Sequence, residues 1–167
     1  MYRLRWTCLY VILIPLVNWS FAHVPTIALP DGGNWAPMAL VTGLVLVFRD
    51  FAQREVGHYI FIPLILGVAI SYAMAPPEIA LASGLAFAVS ELVDWAVFTF
   101  TRRPLSQRVI LSSALAAPLD STVFLGLASL AVPGIFTPLT VLSSVASKLL
   151  GAYIVYRILR RREGARI

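Results

Sequence analysis

Glu91 and Asp94 stand three residues apart inside an apolar stretch, residues 79–100, a spacing that puts both carboxylates on one face of a helix. Two later apolar stretches carry Asp120 and Lys148, and an earlier one carries Arg49-Asp50 near its end. A charged side chain at mid-membrane costs about 2.5–3.5 kcal/mol on insertion scales, so such groups face a bundle interior or a wet cavity and mark substrate or ion paths. Carboxylates accept paired N–H donors, and a lysine ammonium donates to a carbonyl. The set can hold a small polar ligand, pair internally, or share protons. Fully ionised, Arg49 and Lys148 stand against Asp50, Glu91, Asp94 and Asp120, which leaves the interior short of positive charge. Protons, a bound cation or a donor-rich substrate would complete it.

The elements that position these groups follow from hydropathy. The chain has 167 residues, 59% of them hydrophobic, with a mean hydropathy of +0.85, a balance no soluble domain of this size requires. Six apolar segments can be read, at about 6–23, 36–54, 59–75, 79–100, 109–131 and 138–157. Short connections punctuated by Pro25, Pro30, Gly32 and Gly33, Gly57, Pro76-Pro77, Pro104 and Pro133-Gly134 force successive helices antiparallel. The expected fold is an all-α membrane protein, a six-transmembrane-helix bundle in one integral domain over residues 1–167. A competing reading makes the first segment a signal peptide, since Arg3 and Arg5 precede a short apolar run and Ser20-Phe21-Ala22. The uncleaved six-helix form is preferred.

Orientation comes from the basic residues. With the first loop outside, Arg3, Arg5, Arg49, Arg54, Arg102, Arg103, Arg108, Arg157, Arg160, Arg161, Arg162 and Arg166 all fall inside, and the remaining cation is Lys148 within the membrane. Both termini are therefore expected in the cytoplasm, in a bacterial cytoplasmic (inner) membrane. That distribution also explains the net charge of +5 without nucleic acid. Counting at about 1.5 Å per residue puts Glu91, Asp120 and Lys148 near the midplane, Asp94 a turn further in, and Arg49 and Asp50 in the inner third. A shared depth is what a common internal site would show. Two plainer readings compete: Asp120 and Lys148 as a buried ion pair, and Arg49 snorkelling to headgroups while Asp50 packs inside. Ser143, Ser147 and Gly151, and Ala80, Gly84 and Ala88, form small-residue stripes that suit close helix packing or a partner subunit.

Cys8 is the single cysteine, and His23 and His58 fall near segment ends, so neither a disulfide framework nor a metal cage is expected, and no cofactor is called for. There is no Gly-x-Ser-x-Gly elbow, no His-Glu-x-x-His motif and no phosphate-binding Gly-rich loop with Lys-Ser/Thr. The expectation is a transporter rather than an enzyme, and one that does not itself hydrolyse ATP. Proton coupling, facilitated diffusion and docking on a separate ATP-driven energy-coupling module all remain open. So does a substrate-binding or scaffold subunit of a larger complex for another small planar substrate.

Taken in order, Asn18 near the end of segment 1, Arg49-Asp50 with Arg54 and Gly57, Glu91-x-x-Asp94 with Phe98, Ser113 with Asp120 and Phe124, and Lys148 resemble the vitamin-uptake family of queuosine-precursor transporters. The chain departs from the family pattern at Ala117, where relatives often carry Asn, and at Glu91, often an uncharged amide. The resemblance implies import of a 7-deazaguanine such as 7-cyano-7-deazaguanine. A guanine-like edge presents an N–H beside an NH2, which one carboxylate accepts in a bidentate pair. Glu91 or Asp94 suits that role, Lys148 would donate to the ring carbonyl with Asp120 balancing its charge, and Phe87, Trp95, Phe98 or Phe124 would stack on the ring. Asn18, Arg49, Asp50, Glu91, Asp94, Phe98, Asp120, Phe124 and Lys148 are thus the candidate substrate-binding residues.

Overall fold

The computed structural model describes residues 4–74, 76–101 and 103–164; Arg3, Arg102 and Arg166 of the inner basic set lie outside the described residues. The described chain forms α1 (Arg5–His23), a short hairpin of β1 (Ile27–Ala28) and β2 (Asn34–Trp35), α2 (Ala39–Val56), a 3-10 turn (Gly57–Ile60), α3 (Phe61–Met74), α4 (Pro77–Phe100), α5 (Leu105–Ala128) and α6 (Pro138–Gly164). Four stretches are long and apolar enough to cross a membrane: Ala39–Met74, Pro77–Phe100, Leu105–Ala128 and Pro138–Glu163. The first, at 36 residues, exceeds one crossing and is broken at Gly57, whose φ of +61° ends α2. The chain is a multi-pass membrane protein.

Contacts between helix ends fix their directions. Trp6 at the start of α1 meets Glu55 at the end of α2, while Asn18 near the end of α1 meets Ser71 near the end of α3 and Ser83 near the start of α4. Phe98 near the end of α4 meets Arg108 near the start of α5, and Ser106 there meets Glu163 at the end of α6. Successive helices therefore alternate in direction. This brings Arg5, Arg54, Arg103, Arg108 and the Arg157–Arg162 group to one end of the bundle.

None of the helices with a described cap has a side-chain cap of its own. Carboxylates from distant segments serve instead. Glu55 accepts from the Trp6 and Thr7 amides, at 3.1 and 2.9 Å, and from the Thr7 hydroxyl. Glu163 accepts from the Ser106 amide at 3.2 Å and from its hydroxyl at 2.5 Å. Asp31, in the hairpin loop, accepts from the Leu139 amide at 2.9 Å. Each places a negative charge at the positive end of a helix dipole and satisfies orphan donors, while tying two segments together. Desolvation pushes the Asp31 carboxyl up, but the bonds from Leu139, Thr137 and Gly33 outweigh it, and the group titrates below its usual value.

Two segments differ most from the sequence reading. α5 begins at Leu105 rather than 109 and ends at Ala128, and α6 runs to Gly164 rather than 157. The arginine-rich tail stays helical because Glu163 is held against the start of α5. The hairpin was not expected: Leu29-Pro30-Asp31-Gly32 closes it, with Gly32 at φ +80° and the Gly32 amide donating to the Leu29 carbonyl at 3.1 Å. It docks on α6 through the Asn34 amide to Thr140 Oγ1 (3.0 Å) and Trp35 Nε1 to Ser147 Oγ (2.9 Å).

The α6 stripe packs internally, whereas in the α4 stripe Ala80 is buried and Ala88 is exposed. A Cβ on Gly43 would stand 2.5 Å from the Lys148 carbonyl oxygen and 2.6 Å from its Cα, and one on Gly151 would stand 3.3 Å from the Gly43 backbone, so α2 and α6 cross in backbone contact. Gly84 packs against Val68 of α3. Gly43→Ala should therefore lower the melting temperature in detergent, by overpacking worth about 1–3 kcal/mol. Gly126→Ala, where the nearest atom would be 4.0 Å away, should leave it unchanged or raised.

Candidate functional site

The polar side chains fall into two groups at different depths. The first surrounds Lys148. Its ammonium on α6 donates to Asp120 Oδ2 at 2.5 Å and to Ser121 Oγ at 2.9 Å, both on α5. Pro118, inside α5, removes one helical hydrogen bond two residues before Asp120. Facing this pair, Asn18 of α1 donates to Ser71 Oγ at 2.9 Å and accepts from Ser83 Oγ at 2.8 Å, which links α1, α3 and α4. Asn18, Thr42, Ser83, Phe87, Asp120 and Lys148 are among the residues that line a small pocket of ≈ 20 Å³, room for about one water.

That pocket adjoins a larger one, with Lys148, Phe21 and Phe124 common to both. The larger cavity has ≈ 340 Å³, within the range of small-molecule sites at about 300–1,000 Å³. Its walls are mainly apolar, its floor carries Lys148 and Ser121, and its mouth is framed by Thr26 and Asn34 of the hairpin together with Pro76 and Ile79. Phe21 and Phe124 have ring centroids 5.6 Å apart. An apolar chamber ending on a few convergent polar groups suits a flat molecule with a polar edge.

The second group centres on Arg49. Its Nε donates to Glu91 Oε1 at 2.6 Å, Nη1 to Asp50 Oδ1 at 3.1 Å and to Gln53 Oε1, and Nη2 pairs with Glu91. Tyr10 Oη donates to Glu91 Oε2 at 3.3 Å, and Ser112 Oγ to Asp50 Oδ2 at 3.3 Å. This network ties α1, α2, α4 and α5. Arg49 is 1% exposed, so it does not snorkel, and it pairs with the adjacent Asp50 instead of diverging from it. Glu91 is engaged on both oxygens and is not free to hold a ligand edge.

Asp94 belongs to this deeper region, and neither of its oxygens has a hydrogen-bond partner. Phe98 lies against Arg108, whose guanidinium carbon stands 4.4 Å from its ring centre. Of the candidate residues, the structure gathers Asn18, Asp120, Phe124 and Lys148 around the cavities. It sets Arg49, Asp50, Glu91, Asp94 and Phe98 apart from them, about two helical turns deeper, or ~10 Å, as measured from Thr42 to Arg49 along α2. The expected single midplane site is thus divided. The reason is the helix start: α5 begins four residues earlier than expected, which moves Asp120 about 6 Å toward the outer end.

Ser83, Ser121 and Thr42 were missed because small hydroxyl residues in apolar helices carry no charge signal. Tyr10 and Gln53 were missed because only contact with Arg49 and Glu91 gives them a role.

Residues 38–160, well over half of the chain, match a family described as "Putative vitamin uptake transporter". No curated protein and no solved structure matches the chain. The match begins at α2, so it contains both polar groups apart from Tyr10 and Asn18 of α1. If Lys148 and Asp120 form a buried pair, Lys148→Met alone should strand the carboxylate and destabilise by about 3–5 kcal/mol. The double variant Lys148→Met/Asp120→Leu should recover most of that in detergent unfolding. A double variant no more stable than the single one would contradict the pairing.

Proposed function

The chain belongs to the vitamin uptake transporter family, and we propose that it imports a 7-deazaguanine such as 7-cyano-7-deazaguanine across the bacterial cytoplasmic membrane. The family is described as one of transporters, which supports transport over catalysis. We further propose six crossings with both termini cytoplasmic. The alternating helix directions and the gathering of arginines at one end of the bundle support this topology.

The observation that carries the substrate reading is the ≈ 340 Å³ chamber that narrows onto Lys148 and Asp120. A deazaguanine would enter past the hairpin and lie flat against Phe124 and Phe21, stacking worth about 1–3 kcal/mol per base. Its ring carbonyl would accept from Lys148. Its adjacent N–H and NH2 would donate to Asp120, whose Oδ2 already faces the ammonium, and to the Asn18–Ser83 pair. Asp120 also keeps Lys148 compensated when the chamber is empty, which lets a charged site persist in the membrane without ligand.

Calorimetric titration of the purified protein with 7-cyano-7-deazaguanine, with guanine as competitor, tests the reading. Saturable binding is expected, weakened roughly 5- to 150-fold in Phe124→Ala by the lost stacking and at least as strongly in Asp120→Asn. A folded wild-type protein that binds nothing, or variants with unchanged affinity, would reject it.

A further inference from the structure

We propose that Asp94 is a proton-binding site separate from the substrate chamber, and that its protonation accompanies import; this deepens the transporter reading above and rests on it. Asp94 is 1% exposed on α4, and both its oxygens are buried without a partner. The charged donors beside it are committed elsewhere, and Ser112, the hydroxyl within reach of Asp94, is shared between Asp50 and the Val109 carbonyl at 3.3 Å each. Every guanidinium nitrogen of Arg49 is taken by Glu91, Asp50 or Gln53.

The groups within electrostatic reach of Asp94 are Asp50 and Arg49 of α2, Glu91 of its own helix and, from α1, Tyr10. On α5, Arg108 is turned to Phe98, donating to its carbonyl at 3.4 Å. One cation thus faces three carboxylates. Among the described residues no group of three or more His, Cys, Asp or Glu is placed to hold a metal ion. A proton needs no coordination shell, and it is the ligand that fits.

The step is simple. A proton adds to one Oδ of Asp94, giving a neutral carboxyl with an O–H donor, and leaves by the reverse path. The new donor lies beside acceptors that Arg49 now holds, so protonation competes within the network that ties α1, α2, α4 and α5. All four of those helices also shape the small pocket below the chamber, α1 through Asn18, α2 through Thr42, α4 through Ser83 and Phe87, and α5 through Asp120. Proton and substrate therefore act on the same helices at different depths.

Infrared difference spectroscopy of the purified full chain across a pH titration reads a buried carboxyl without needing substrate. A titrating C=O band is expected in the wild type, absent in Asp94→Asn and shifted in Asp94→Glu, which keeps an acid should the Asn variant prove unstable. In proteoliposomes, an inward gradient of one pH unit should drive about tenfold accumulation of labelled 7-cyano-7-deazaguanine if one proton accompanies each molecule. Asp94→Asn should lose that accumulation while still binding and equilibrating substrate. A band that persists in Asp94→Asn, or gradient-driven accumulation that survives in it, overturns the proposal, as does uptake by the wild type that ignores the gradient. A wild-type protein with the Asp94 band but no substrate binding overturns the substrate reading and leaves the proton site standing.

Discussion

A guanidinium sealed inside an apolar bundle constrains everything around it. Arginine stays charged in any protein environment and carries several donors in a fixed plane, each expensive to leave unmet. Arg49 meets that demand with Glu91, Asp50 and Gln53, and those partners then need their own, Tyr10, Ser112 and Thr99. Helices α1, α2, α4 and α5 are thereby held at one register. With no apolar driving force between helices in lipid, such polar contacts and close backbone crossings decide which packing is unique.

The same economy governs the other acids. In a chain with only eight Asp and Glu residues, Glu55, Glu163 and Asp31 each close the start of a helix remote in sequence, and Glu78 lies in the first turn of its own. The other four are the buried ones. Acidic residues at the ends of the bundle stitch segments together where helix dipoles favour negative charge. Those in the middle pair with a cation or, in Asp94, lie near one with neither oxygen in a hydrogen bond of its own.

Much of this architecture was legible in the sequence. Six helices followed from hydropathy and breakers, and the side chains worth attention followed from charge in apolar stretches. What escaped has physical reasons. A helix start at Pro104-Leu105 is set partly by Glu163 far along the chain, and no local pattern reports it. A hairpin with strands of two residues is too short for alternation to register, and its stability comes from docking on α6. Depth counting inherits every error in a helix end, which is how Asp120 and Glu91 came to seem level. The pairing of Arg49 with its sequence neighbour Asp50 was misread because adjacent residues on a helix point apart; Arg49 bridges that gap with a long side chain whose planar fork reaches Asp50, Gln53 and Glu91 together.

The separation of the two polar groups bears on how a carrier of this size could work. A single site that held both a substrate and a proton would make them compete for the same carboxylate. Here Lys148 and Ser121 close the chamber floor with Asp120 behind them, and Asp94 sits beside a network two turns deeper, with Val45, Phe87, Ala116 and Ala117 buried between them along α2, α4 and α5. Packed apolar layers transmit a shift in discrete steps rather than continuously. Gly43, in backbone contact with Lys148, sits on the same helix as Arg49. A rearrangement around Arg49 that tilts α2 would therefore act directly on the backbone that carries Lys148. The proposed coupling would need no relay of charges between the two groups, only a helix shared by both.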